Sequence, residues 1–248
     1  PGQAALLEAW MWAGGTDEAA EWAALLVRTL PNSESARQKN IDRLIAAGQF
    51  ALALQEMEDL QVSEANRWNV ASARARTCLG ARQAECARQQ SRIWQQELLK
   101  MRERGGGRPE FDVYPLMIDI LSAELVEAGA DHSQSLSAVQ ELIAQHSWFD
   151  KKYFLRAGVA ARSGDPEQAL AMLEESLLDA GQGIFGLDIF MLSAEHSLLL
   201  DPLRSQPGFQ EWLERHLEQR NAVLQRVRQL EARGEVISAS STARLVSS

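Results

Sequence analysis

Proline is scarce in this chain, at 7 of 248 residues, and β-branched and aromatic residues are thin beside Ala, Leu, Glu, Gln and Arg. That usage speaks against a β-sandwich or a Rossmann-type sheet and predicts helix throughout. No run of 18 or more apolar residues occurs, so no segment of the sequence reads as a membrane-spanning helix. Lysine is limited to Lys39, Lys100, Lys151 and Lys152 among 25 basic residues, an arginine bias that points to a G+C-rich bacterial genome. The net charge is −9 and neither half carries a basic run, which argues against nucleic acid as a partner of this region. No Walker loop, Gly-x-Ser-x-Gly, His-Glu-x-x-His or post-strand Gly-x-Gly-x-x-Gly appears, so the sequence offers no catalytic, cofactor-binding or metal-binding residues. Neither an initiator Met nor a signal-like segment is present, and the opening Pro1-Gly2-Gln3 leads us to expect a fragment or a processed form.

What the chain does contain is 46% hydrophobic residues, enough for a sizeable core, arranged with a long period. Gly14 and Gly48 lie 34 residues apart, and Ala19, Ala53 and Ala87 continue that step. Gly164-Asp-Pro-Glu-Gln-Ala169 repeats the phrase, again with Ala five residues after Gly. The phrase is what an αα-hairpin requires. Gly ends one helix where φ is positive, Asp165 caps the next, Pro166 takes its first position, and a small Ala lets the second helix press on its neighbour. The glycines at 105–107 are the strongest break. After it the pattern predicts helices over 113–128, 135–145, 150–162, 166–179 and 187–199, then one long helix over 207–233.

These residues resemble the tetratricopeptide repeat (TPR) family, whose 34-residue unit has Gly and Ala five apart at the turn and often Pro at its end. Gly14, Ala19 and Pro31 fit the first unit, with Trp10 at a large-residue position. Gly48, Phe50 and Ala53 fit the second, with Leu44 and Met57 in core positions. Ala75 and Ala87 fit the third, where Arg82 stands in place of Gly; Leu7 and Ile41 replace the small eighth residue of the first two units. The resemblance implies an all-α, right-handed α-solenoid of TPR-like hairpins. It divides the chain into N-terminal hairpins (1–104), a Gly-rich break (105–111), further hairpins (112–206), a C-terminal capping helix (207–235) and a Ser-rich tail (236–248). The phrase Asp201-Pro202-Leu203-Arg204 … Pro207-Gly208-Phe209 is similar to the closing segment of bacterial multidomain proteins with C-terminal TPR arrays. In those proteins the array follows a winged-helix domain and a membrane span, or a kinase or cyclase domain.

The implied function is therefore a non-catalytic protein- or peptide-binding module, the sensory or interaction region of a bacterial signalling or transcription-regulatory protein. A periplasmic setting is preferred to a cytoplasmic one. The alternatives are a stand-alone cell-envelope scaffold or assembly factor and, behind that, an all-α enzyme. In the family the first helix of each hairpin lines the concave groove, which carries over to Glu8, Met11 and Trp12, then Gln38, Asp42 and Ile45, then Asn69, Ser72 and Arg76. Asn69 and Arg76 alone do not make the family's carboxylate clamp. Trp12 reads either as a groove anchor or as a residue packing on a preceding repeat.

Cys78 and Cys86 flank the third turn, where a disulfide is permitted and two small buried hydrophobes are the other reading. The four histidines, His132, His146, His196 and His216, have no ligand spacing and read as surface or capping residues. Leu213, Leu217, Leu224 and Val227 approximate a heptad seam through which the last helix could pair in a homodimer, interrupted by Arg220.

Overall fold

One hairpin turn, with a buried alanine five residues after it, is built the same way four times. In each, a residue in the left-handed region closes a helix: Gly14 (φ 78°), Gly48 (70°), Arg82 (57°) and Gly164 (84°). Its N–H donates three residues back, to the carbonyls of Met11, Ile45, Leu79 and Ala161. The next N–H donates five back, to Trp10, Leu44, Cys78 and Ala160. This is the Schellman arrangement, which satisfies the last carbonyls of the helix. Five residues on, Ala19, Ala53, Ala87 and Ala169 are all buried, each N–H bonded to the carbonyl four residues earlier. The third turn is made without glycine, so the repeat lies in the backbone path itself.

The computed structural model describes residues 2–58, 60, 63–106, 108–127, 131–179, 190 and 192–233, without the side chains of 2–6, 12, 65 and 109. Among these residues the fold is all-helical. In chain order the elements are α1 (Gly2–Ala13), α2 (Thr16–Thr29), α3 (Glu34–Ala46), α4 (Phe50–Glu58), α5 (Arg67–Gly80), α6 (Ala84–Glu103), α7 (Val113–Val126), α8 (Ser133–Gln145), α9 (Tyr153–Arg162), α10 (Pro166–Leu178) and α11 (Pro207–Ala232). Short 3₁₀ turns occupy Glu64–Asn66, Pro109–Asp112, Ser147–Phe149 and Leu198–Leu203.

Consecutive helices pack as pairs, α1 on α2 through α9 on α10, and each pair packs on the next. The first helices of neighbouring pairs also touch directly: α1 on α3, α3 on α5, α5 on α7. A single apolar cluster runs from Ile41 to Trp212 and crosses the glycine break, where α6 lies against α7. On its described residues the break is made of turns. Gly105 (φ 77°) closes α6 with the same pair of bonds as the other turns, and Pro109–Asp112 coil into 3₁₀ helix.

Two expectations need correction. The helix read over 187–199 is a turn over 194–196 followed by 3₁₀ helix, within the part of that range that is described. Its described leucines, Leu192, Leu198 and Leu199, are all buried, a run in which helix and compact turn share one apolar pattern. The terminal helix also does more than cap the last pair. At 26 residues it is about 39 Å long, and it touches both α10 and α1. Its first turns bury Phe209 and Trp212, with the Trp212 indole donating to the Leu173 carbonyl at 2.7 Å. Two turns from its end, Leu224 joins Leu7, Trp10 and Trp22 in the apolar cluster of α1 and α2. Leu213, Leu224 and Val227 of the supposed dimer seam thus pack within their own chain. The expected Ser-rich tail lies outside the described residues.

Candidate functional site

Equivalent positions of the first three units form a polar ladder along the first helices. Glu8, Asp42 and Arg76 are successive members of one 34-residue register. Glu8 pairs with Lys39 of α3, and Asp42 with Arg76 of α5 at 3.0 Å. Gln38 donates to the Asp42 carboxylate at 3.4 Å, and the Arg76 Nε to the Ser72 carbonyl at 3.4 Å. Asn69 is half-buried on α5. Three members of the expected groove set are core residues: Ile45 is fully buried, Ser72 is buried, and Met11 is 5% exposed. The side chain of Trp12 lies outside the described residues. The structure thus brings Glu8 to Lys39 and Gln38 and Arg76 to Asp42, and places the Ile45 and Ser72 side chains in the core.

A cleft of about 160 Å³ opens where the first two turns meet the segment before α11. Met11, Gly14, Thr16, Ala46 and Ala47 form its N-terminal wall, and Ser193, Glu195, His196 and Arg220 its C-terminal wall, with Arg43 between. Arg220 lies over Gly14, where an added Cβ would stand 2.9 Å from its Cδ, so a side chain there would push Arg220 aside as well as strain a φ of 78°. Arg220 forks onto Glu195, Nη2 to Oε1 at 3.0 Å and Nη1 to Oε2 at 3.3 Å. Burial raises the Glu195 pKa, but its own backbone N–H, Arg220 and Ser193 outweigh that and hold it below the usual carboxylate range. Burial lowers the pKa of the Arg43 guanidinium, against an opposing pull from Glu56.

Ser193 Oγ and His196 Nδ1 are 2.9 Å apart. The other ring nitrogen faces Gly48, 3.9 Å from where a Cβ would sit. A hydroxyl beside an imidazole is half of a nucleophile–base pair, but a hydrolytic triad also orients the base. Here Glu195, the nearest carboxylate in sequence, is committed to Arg220, and no described carboxylate bonds the second nitrogen of His196. No group of three or more His, Cys, Asp or Glu residues suited to a metal occurs among the described residues.

Cys78 and Cys86 are joined in a disulfide across the third turn, with Cα atoms 5.7 Å apart. His216 is not the surface residue expected. It is 1% exposed, stacked on Trp212 at 5.0 Å and edge-on to Phe154 at 5.7 Å, with neither ring nitrogen hydrogen-bonded to protein. Burial first, then Arg220, drive its pKa down to about 4, with Glu195 opposing. Sequence reading missed Arg43, Ser193, Glu195, His196 and Arg220 as a set, because they sit on three distant segments and share no period.

No helix among the described residues is long and apolar enough to cross a membrane. No protein-family model, curated protein or solved structure matches the chain.

Proposed function

We propose that this chain is a non-catalytic protein- or peptide-binding module: a right-handed solenoid of TPR-like hairpins, closed by α11, that presents the face of its first helices to an extended ligand. Its setting in this proposal is the sensory or interaction region of a bacterial signalling or transcription-regulatory protein. The observation that carries the reading is the persistence of the 34-residue register in three dimensions. Positions 14/48/82 make one turn, 19/53/87 one close approach, and 8/42/76 one polar row. Stacked hairpins of this kind gain specificity from extended surface, which suits recognition better than turnover.

The test is a display selection of extended peptides against the whole chain. Selected peptides should lose at least tenfold in affinity on Asp42→Ala or Arg76→Ala, with thermal midpoints reported alongside. Selected peptides indifferent to both substitutions, or cleaved by the protein, would overturn the reading.

One observation is compatible with the second reading, a scaffold or assembly factor of the cell envelope, as well as with a periplasmic setting for the first. The Cys78–Cys86 disulfide belongs to an oxidising compartment, as periplasmic proteins occupy. The two readings share the recognition face and differ in what precedes it.

A further inference from the structure

We infer that the cleft between the first two turns and the segment before α11 is a carboxylate-binding site with Arg43 as its anchor. Two neighbours of Arg43 on α3 have ionic partners across the packed helices: Lys39 meets Glu8, and Asp42 meets Arg76. Arg43 does not. Its Nε donates to Asn40 Oδ1 at 3.2 Å and its Nη1 to Gln49 Oε1 at 3.4 Å, both neutral acceptors, and no described carboxylate comes within ion-pair distance. The other arginine of the cleft, Arg220, is neutralised by Glu195.

The cleft therefore holds a permanent positive charge that is partly withdrawn from water and has no ion-pair partner among the described residues, with Glu56 acting on it only from beyond that distance. Partial burial of a guanidinium without an ion-pair partner is costly, and a ligand carboxylate at contact distance offsets the cost. The planar fork of a guanidinium fits the two oxygens of a carboxylate side by side. The walls leave room for it: Gly14, Ala46 and Ala47 are small, and the space of about 160 Å³ admits a carboxylate on a short stem. Thr16 and His196 stand on the rim as further polar partners, with the His196 ring held in place by Ser193. A carboxylate reaches such a cleft as a free small acid or as an Asp or Glu side chain of a docked polypeptide. The site stands without the peptide-binding reading, and the second source rests on it.

The experiment is an NMR titration of the full chain at constant ionic strength, following the Arg Nε–Hε signals. The probes are sodium acetate, sodium phosphate, sodium chloride and N-acetyl-glutamate methylamide. Acetate should shift the Arg43 signal and the Gly48 amide in a saturable manner, with chloride and phosphate weaker. The Arg43→Gln substitution should weaken the response at least tenfold. Ala47→Asp, which places a carboxylate on the cleft wall, should reduce the effect of added acetate to a similar degree while leaving Arg43 in place. It decides the matter if Arg43→Gln disturbs folding. Tighter binding of the blocked glutamate than of acetate assigns the site to acidic side chains of a polypeptide, and equal binding assigns it to free acids. No saturable shift with acetate, an equal shift with chloride, or tighter binding of phosphate overturns the inference. None of these failures touches the peptide selection, whose readout is Asp42 and Arg76.

Discussion

Arg82 occupies a backbone position that favours glycine. A non-glycine residue with positive φ carries a local cost of about 1–2 kcal/mol, while glycine gives up part of that advantage through its freer unfolded chain. Arg82→Gly should therefore stabilise the protein by about 0.5–1 kcal/mol. The loss of the exposed 3.4 Å pair with Asp201 subtracts little from that gain. Urea unfolding measures it, and a destabilised variant would show that the third turn is not held as described. His216 makes the complementary case. Its folded pKa of about 4 lies below its ordinary value of 6.5, so the unfolded chain binds more protons between the two. Stability is thus fully present above pH 6.5 and falls as the pH drops towards 4, by about 3 kcal/mol from this one residue. Arg220 and Glu195, the charged groups that act on the ring, pull in opposite directions. His216→Phe should flatten the stability profile between pH 4 and 6.5, and an unchanged slope would place the ring in water. The buried histidine was illegible in the sequence because isolated histidines look alike there, and Trp212 four residues earlier gave the only hint of an apolar face.

At the scale of elements, the hairpins were legible because Gly–Ala spacing, caps and apolar period all specify the same local path. Residues 187–199 were not. Phe190, Leu192 and Leu198–Leu200 are buried on every side, and a run without an apolar face has no period to read. The structure shows why that segment can lie flat on α9. Gly158 presents bare backbone, and a Cβ there would stand 2.7 Å from the Leu199 carbonyl oxygen. Arg162 then ties α9 to the same segment by donating to the carbonyls of Leu198 and Leu199, and to α7 by donating to Glu124. Alanine in an open helix is favoured over glycine by about 1 kcal/mol. Gly158→Ala should nevertheless destabilise the protein by about 1–2 kcal/mol, because the opposing atom is backbone and cannot turn aside. A gain in stability would mean that the contact is looser than the structure has it.

For the molecule as a whole, the consequential element is α11. It runs from α10 to α1, so the first pair is covered by the last helix in addition to its own neighbour. The sequence marked its length and apolar positions but not its destination, since Leu224 and Arg228 give no sign that they will meet Trp10 and Glu18, more than 200 residues earlier. Leu224→Ala should cost about 2–3 kcal/mol. Amide exchange in α1 and α2 should quicken while α9 and α10 stay protected, and uniform loosening would contradict the described docking. The candidate cleft belongs to the same closure, because α11 lying across the first turn is what brings Arg220 to its wall.

Hydrogen–deuterium exchange of the whole chain, with and without a selected extended peptide, tests the recognition face most directly. The account predicts added protection in α1, α3 and α5 around Glu8, Asp42 and Arg76, with α2, α4 and α6 unchanged. Protection confined to α2, α4 and α6, or consumption of the peptide during the measurement, would contradict it.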